Sequence, residues 1–149
     1  MKSLSFRIPG DLAERVADRT RRWVAKSDSE TYRQVIEEWV RLQDHPGIRF
    51  VDGPGGRPAA LVGGPEIWQM IAIVRDFESD REAILDAYPW VTVEMLDVVQ
   101  RYFQAYPEEV DALIEDNLRV ADELEHELDL VVRERGVSED ATNGGSGGS

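Results

Sequence analysis

The sequence predicts a mainly helical protein whose N-terminal strand has to find its partner on another molecule. Three observations carry this reading. Leu4, Phe6 and Ile8 alternate with Ser3, Ser5 and Arg7, the period of a strand with one apolar and one polar, partly cationic face. Two helical patterns follow at once, so the strand has no nearby mate, and its backbone donors and acceptors stay unpaired unless a second chain supplies one. Beyond them a single pair of short strand-like runs interrupts a series of helical patterns, the last strongly acidic. The expected architecture is an intermolecular two-stranded ribbon plus two helices, then a short β-hairpin, a small helix-turn-helix unit and a long acidic C-terminal helix.

Each element has its own signature. Pro9-Gly10-Asp11 ends the strand, and Asp11 is expected to cap a helix carrying Leu12, Val16, Thr20 and Trp23 on one side. Ser27, Asp28 and Ser29 interrupt, and any of them can cap a second helix. Its apolar stripe is Tyr32, Val35, Ile36, Trp39 and Val40, at i, i+3, i+4, i+7 and i+8. His45-Pro46-Gly47 closes this unit. One strand and two helices bury little alone, which again argues for a dimer, with Leu4, Phe6, Ile8, Val35 and Trp39 as its contacts.

Ile48 to Val51 and Arg57 to Val62 flank Asp52-Gly53-Pro54-Gly55-Gly56, a β-hairpin pattern. The glycines serve the turn, since no Walker lysine or following helix signature marks a phosphate cradle. Pro65 opens a helix over Glu66 to Phe77 whose Ile67, Trp68, Met70, Ile71, Ile73 and Val74 cover most of its circumference, which places it centrally in the core. Ser79-Asp80-Arg81-Glu82 reads as a capping box for a short helix through Tyr88. Pro89 stops it, and Thr92 starts another bearing Leu96, Val99 and Phe103. Helix, three-residue break and helix give a helix-turn-helix silhouette. Pro107 opens the longest helix, expected to run to Arg135 and end at Gly136. Its seam, Val110, Ile114, Leu118, Ala121, Leu124, Leu128 and Val131, has a mean step of 3.5 residues, the coiled-coil period. The last fourteen residues, ending Gly-Gly-Ser-Gly-Gly-Ser, read as a flexible tail. The expected segments are thus 1–44, 45–106, 107–135 and a disordered 136–149.

Composition narrows the function classes. The chain of 149 residues is 42% hydrophobic, enough for a real core. No apolar run approaches the ~20 residues of a membrane span, and Met1-Lys2 runs into the strand without a signal-peptide pattern. Having no cysteine suits a reducing cytoplasm. The net charge of −13 is unevenly spread. Residues 1–44 hold nine Lys/Arg against eight Asp/Glu, net +1; the remainder holds eight against 22, net −14. Only the first segment can approach a polyanion without strong repulsion, whereas the rest suits a basic protein partner or simple solubility.

Catalysis finds little support. Glu94 and Asp97 fall at helical spacing, but a solvated helix face accounts for them. His126 sits amid acids on the terminal helix, and His45 lies too far away in sequence to share a metal with it. The expectation is a non-enzyme without metal or cofactor.

A paired ribbon would present Ser3, Ser5 and Arg7 twice on one face, about the width of a DNA major groove. The segments SLSFRIPGDLAERVADRT and DSETYRQVIEEWV resemble the ribbon-helix-helix family of Arc-, MetJ- and CopG-type repressors, without a gap from Ser3 to about Leu42. The resemblance covers the strand alternation, the proline after it and the Ser-Glu-x-Tyr opening of the second helix. It implies that Ser3, Ser5 and Arg7 read base edges, with Arg7 making a bidentate contact to guanine, and that Ser29 sets its backbone N–H against a phosphate. Asp28 beside that phosphate and two weakly discriminating serines imply modest sequence-specific affinity. The stretch from His45 to Ile114, with the motif Tyr-Pro-x-x-Thr at Tyr88–Thr92, is similar to a small antitoxin-like domain linked with PIN-domain ribonuclease toxins, as in VapB-type antitoxins. Its helix-turn-helix offers Glu94 and Asp97 against Arg101, so it reads as packing or partner surface rather than a second DNA reader.

Together these features imply a dimeric, cytoplasmic DNA-binding antitoxin that represses its own operator and neutralises a basic toxin. Leu118, Leu124 and Leu128 would anchor the toxin, and Glu123, Glu125 and Glu127 would steer it. The same helix could instead cap its own chain or form a dimer coiled coil. Two rivals stay open: a stand-alone ribbon-helix-helix transcriptional regulator, and an interaction module that never touches DNA.

Overall fold

A computed structural model describes residues 1–142, and its elements are mainly helical with a small two-stranded antiparallel sheet. The chain divides into two compact units, one of Met1–Ala105 and one beginning at Tyr106.

The first unit starts with a segment, residues 1–9, that forms no strand within the chain. Leu4 and Phe6 are exposed and Ile8 half-buried, with the Phe6 ring standing edge-on to Tyr32 at 6.2 Å. Helix α1 (Gly10–Arg19) follows. Pro9, not Asp11, is its N-cap: φ is −58° and ψ 143°, and the Pro9 carbonyl accepts from the Ala13 N–H at 3.0 Å. Proline is pre-set for this corner, so Asp11 moves into the first turn, where its charge complements the helix dipole. The Thr20 hydroxyl closes the helix by donating to the Val16 carbonyl at 2.8 Å. Helix α2 (Asp28–Asp44) is capped by Ser27, whose side chain accepts from the Glu30 N–H.

Strands β1 (Ile48–Phe50) and β2 (Ala59–Leu61) form the expected hairpin, with Ile48 opposite Leu61 and Phe50 opposite Ala59. Gly47, at φ +98°, swings the chain into β1, and its carbonyl accepts from the Val62 N–H. Helix α3 (Ile67–Asp76) begins two residues after Pro65. Glu66 is the N-cap in a capping box with Gln69, and the Pro65 carbonyl is engaged by the Leu61 N–H at 2.9 Å. Helix α4 (Arg81–Ala87) is capped by Asp80 alone, which accepts from the Ala83 N–H. Ser79 cannot cap it because Glu78 and Ser79 both have positive φ, and the Ser79 N–H donates back to the Val74 carbonyl to tie off α3. Helix α5 (Val93–Ala105) starts from Thr92, whose hydroxyl accepts from the Met95 N–H. The break between α4 and α5 is five residues rather than three: a turn donated by the Val91 N–H to the Tyr88 carbonyl buries Val91 in the middle of it.

Every buried residue of this unit lies between Ile48 and Tyr102. The core is hairpin, α3, α4 and α5, with Ile67, Met70, Ile84, Val99 and Tyr102 almost wholly excluded from solvent. Ile67, Met70 and Ile71 bring α3 into its centre, as its all-round apolar pattern requires. Neither α1 nor α2 buries a single residue.

The second unit is one helix, α6 (Pro107–Thr142), and it runs through Gly136 instead of ending there. One glycine costs a helix only about 1 kcal/mol, too little to stop it where good helix formers surround it. Of the tail expected at 136–149, residues 136–142 are therefore helical, and 143–149 lie outside the described residues. Along the seam Val110 is buried and Ile114 half-buried, while Leu118, Leu124, Leu128 and Val131 are exposed. No helix among the described residues is long and apolar enough to cross a membrane.

Candidate functional site

Helix α2 is packed the wrong way round for a helix serving its own chain. Gln34, Glu38 and Arg41, with His45 at the C-cap, recur at steps of four, three and four and form its polar face. That face is the covered one: the side chains of Glu38 and Arg41 are only 13% and 14% accessible. The apolar face looks outward, with Trp39 62% exposed and Ile36 and Val40 also in solvent. Val35 and Tyr32, at the edge of the stripe, are half-buried. An amphipathic helix normally does the opposite.

A guanidinium holds the polar face in place. Arg57, just before β2, donates from Nε to Glu38 Oε1 at 2.7 Å, from Nη2 to Glu38 Oε2 at 3.2 Å and from Nη1 to Asp52 Oδ1 at 2.5 Å. Its Cζ also sits 4.3 Å from the ring centroid of Trp23, beyond the end of α1. Burial pulls the Arg57 pKa down, but the hydrogen bonds to Glu38 and Asp52 outweigh it and hold the group above its ordinary value. Trp23 Nε1 is buried without an acceptor among the described residues, so the indole is held by its ring face rather than its N–H. One turn further along α2, Arg41 donates to the Tyr102 hydroxyl at 2.8 Å and to Glu37 at 2.6 Å, and the His45 ring meets Tyr102 edge-on at 5.3 Å. Residues 1–44 thus join the hairpin and α5 through charge and aromatic contacts, not through a shared apolar core.

The expected DNA-reading residues are all at the surface. Ser3, Ser5 and Arg7 are exposed, and Arg7 has no ion-pair partner among the described residues. Ser29 lies in the first turn of α2, one position after Asp28, and its N–H has no acceptor among the described residues because Ser27 satisfies Glu30 instead. That leaves an anion-facing donor of the usual helix-start kind. The contacts expected for a dimer, Leu4, Phe6, Ile8, Val35 and Trp39, are exposed or half-buried, and none is covered as a core residue would be.

On α6, Leu118, Leu124 and Leu128 are exposed along one side, and Glu123, Glu125 and Glu127 are exposed as well. At 100° per residue Glu125 stands nearly in line with Leu118, whereas Glu123 and Glu127 are each a quarter-turn or more from the leucine line. They can bias approach through the field rather than by touching what sits on the leucines.

Sequence reasoning missed Arg57, Glu38, Arg41, Tyr102 and Trp23 as a group. Their partners are far apart in the chain, Glu38 by 19 residues and Tyr102 by 61. The available signal was the run of polar residues at helical spacing on α2 opposite an apolar stripe, next to a hairpin carrying an arginine beside its turn. Comparison with known proteins finds no matching family model, no matching curated protein and no matching solved structure.

Proposed function

We propose that this chain is a dimeric DNA-binding antitoxin: paired N-terminal strands read an operator, and the acidic C-terminal part restrains a basic toxin of ribonuclease type. The reversed packing of α2 supports it most. A helix that commits its polar face to its own chain and leaves Ile36, Trp39 and Val40 in water is unfinished, and the exposed Leu4 and Phe6 of the N-terminal segment are unfinished in the same way. A second copy completes both: the two segments pair as an antiparallel ribbon, which satisfies their backbone groups, and the apolar faces of strand and α2 close on each other across a two-fold axis. Pairing also brings two copies of Ser3, Ser5 and Arg7 to one surface on the only near-neutral part of an acidic chain. The Ser29 N–H of each α2 then meets a flanking phosphate.

The acidic surplus has a use in this scheme. A helix with exposed leucines and many carboxylates attracts and then holds a basic partner with apolar anchors. The DNA half is tested by fluorescence anisotropy of the full chain on the sequence upstream of its own gene. Arg7→Ala is expected to weaken specific binding by ~1–3 kcal/mol with no change in fold. Binding that is absent, or indifferent to Arg7, overturns the ribbon as a reader. The toxin half is tested by co-expression with the adjacent gene product: a small basic protein co-purifying with the chain supports it, and none doing so leaves no antitoxin.

A further inference from the structure

Between the hairpin and α5 lies an apolar groove that nothing in the proposed DNA contacts uses. It has a volume of about 520 Å³ and is lined by Gly63, Gly64, Pro65, Gln69, Ile73 and Trp90. Its floor is low because Gly63, at φ +70°, turns the chain where a side chain is disfavoured. Trp90 forms one wall and is 48% exposed. It is the outer end of an edge-to-face aromatic row, Phe77 to Tyr88 at 5.9 Å and Tyr88 to Trp90 at 6.0 Å, so its ring is held rather than free to swing. Val62 and Val93, next to the groove in sequence, are exposed too.

Two side-chain donors in this groove lack acceptors among the described residues. Gln69 uses its Oε1 to accept from the Glu66 N–H, which leaves its amide NH₂ unused, and the Trp90 indole N–H is likewise unengaged. Donors spaced along an apolar trough suit the backbone carbonyls of an extended peptide. The surroundings set its charge. Residues 76–100 carry seven acidic side chains, all exposed, against Arg81 alone, and Arg81 is already held by Asp97 at 2.5 Å.

We infer that the Trp90 groove docks a basic peptide segment of a partner protein through an aliphatic anchor against Trp90. The inference rests on the antitoxin reading, whose basic partner it places on α3–α5 instead of on α6. A rigid, half-exposed tryptophan beside an open trough is the type of residue that concentrates binding energy, and the carboxylates around it favour a cationic approach.

The test uses the full chain and a fluorescent synthetic peptide that alternates arginine with leucine. Binding is expected to be salt-sensitive, at least about tenfold weaker for Trp90→Ala and abolished for Trp90→Arg, while Leu118→Ser with Leu128→Ser leaves it unchanged. Circular dichroism of each variant is expected to match the parent, because Trp90 is no core residue. Loss of binding only in the α6 double variant assigns the partner to α6 and overturns the groove. So does equal binding of plain polyarginine regardless of Trp90, which reduces the effect to charge. A change in mass of the unliganded protein on Trp90→Ala overturns it as well, since a second copy then fills the groove. If the peptide binds as expected but no basic protein co-purifies with the chain, the groove stands and the antitoxin reading falls.

Discussion

Arg57 carries more of this molecule's cohesion than any apolar side chain of its first 47 residues, none of which is buried. Its guanidinium is planar, delocalised and weakly hydrated, which lets one group pair bidentately with Glu38, bond Asp52 and lie over Trp23 at once. A lysine cannot reproduce that geometry. Arg57→Ala leaves the Glu38 carboxylate 13% accessible and unpaired, and it uncovers Trp23. The expected cost is about 2–4 kcal/mol in urea unfolding, with Arg57→Lys recovering less than half. The pH dependence has a definite sign. A folded-state pKa raised above the unfolded value gives stability that is complete below the unfolded pKa and is lost as pH rises through the folded one. For an arginine that window lies above the ordinary value of 12.5, so Arg57 itself stays charged and contributes no slope at neutral pH. None of this was legible as a site in the sequence: Arg57 looked like one residue of a hairpin arm, because a cluster assembled from residues 23, 38, 52 and 57 has no local periodicity. The exposed Ser3, Ser5 and Arg7, by contrast, were readable from a strict two-residue alternation.

At the level of elements, what the sequence made legible followed local chemistry closely. The hairpin rests on apolar runs around a Gly/Pro turn, the α5 start on Thr92, and the central place of α3 on an apolar pattern covering most of its circumference. The misses lie where two local signals compete. Pro9 displaced Asp11 as cap, positive φ at Ser79 handed the α4 cap to Asp80, and Gly136 failed to stop α6. Helix α2 is the instructive case. Its stripe of Tyr32, Val35, Ile36, Trp39 and Val40 was plain in the sequence, and the structure covers the opposite face. Periodicity reports that a face wants burial but not which chain buries it. This gives a prediction for the element as a whole. Trp39→Asp, which introduces a charge onto the exposed stripe, is expected to convert the full chain to a monomer by sedimentation while its thermal unfolding, set by the core between Ile48 and Tyr102, shifts by no more than a few degrees. A large drop in melting temperature in an already monomeric protein would mean that the stripe packs within its own chain.

For the molecule as a whole, the division of labour follows charge and burial together. Residues 1–44 are near neutral, have no buried residue and expose apolar surface; residues 48–102 hold the core of the first unit; the helix from Pro107 is acidic and, beyond Ile114, exposes its seam. A core without surface demands sits between two parts that have surface demands without a core. On that view the N-terminal part is completed by a second copy and DNA, and the acidic part by a basic protein. The central claim is the shared ribbon, and the absence of cysteine in this chain makes it directly measurable. A nitroxide on Ser5→Cys in the full-length protein reports whether two N-terminal segments lie side by side. Neighbouring strands are about 4.8 Å apart, so a paired ribbon is expected to give a spectrum strongly broadened by spin–spin coupling, narrowing when labelled chains are diluted with unlabelled ones. The narrow, unbroadened spectrum of an isolated spin, unchanged by dilution, would contradict it.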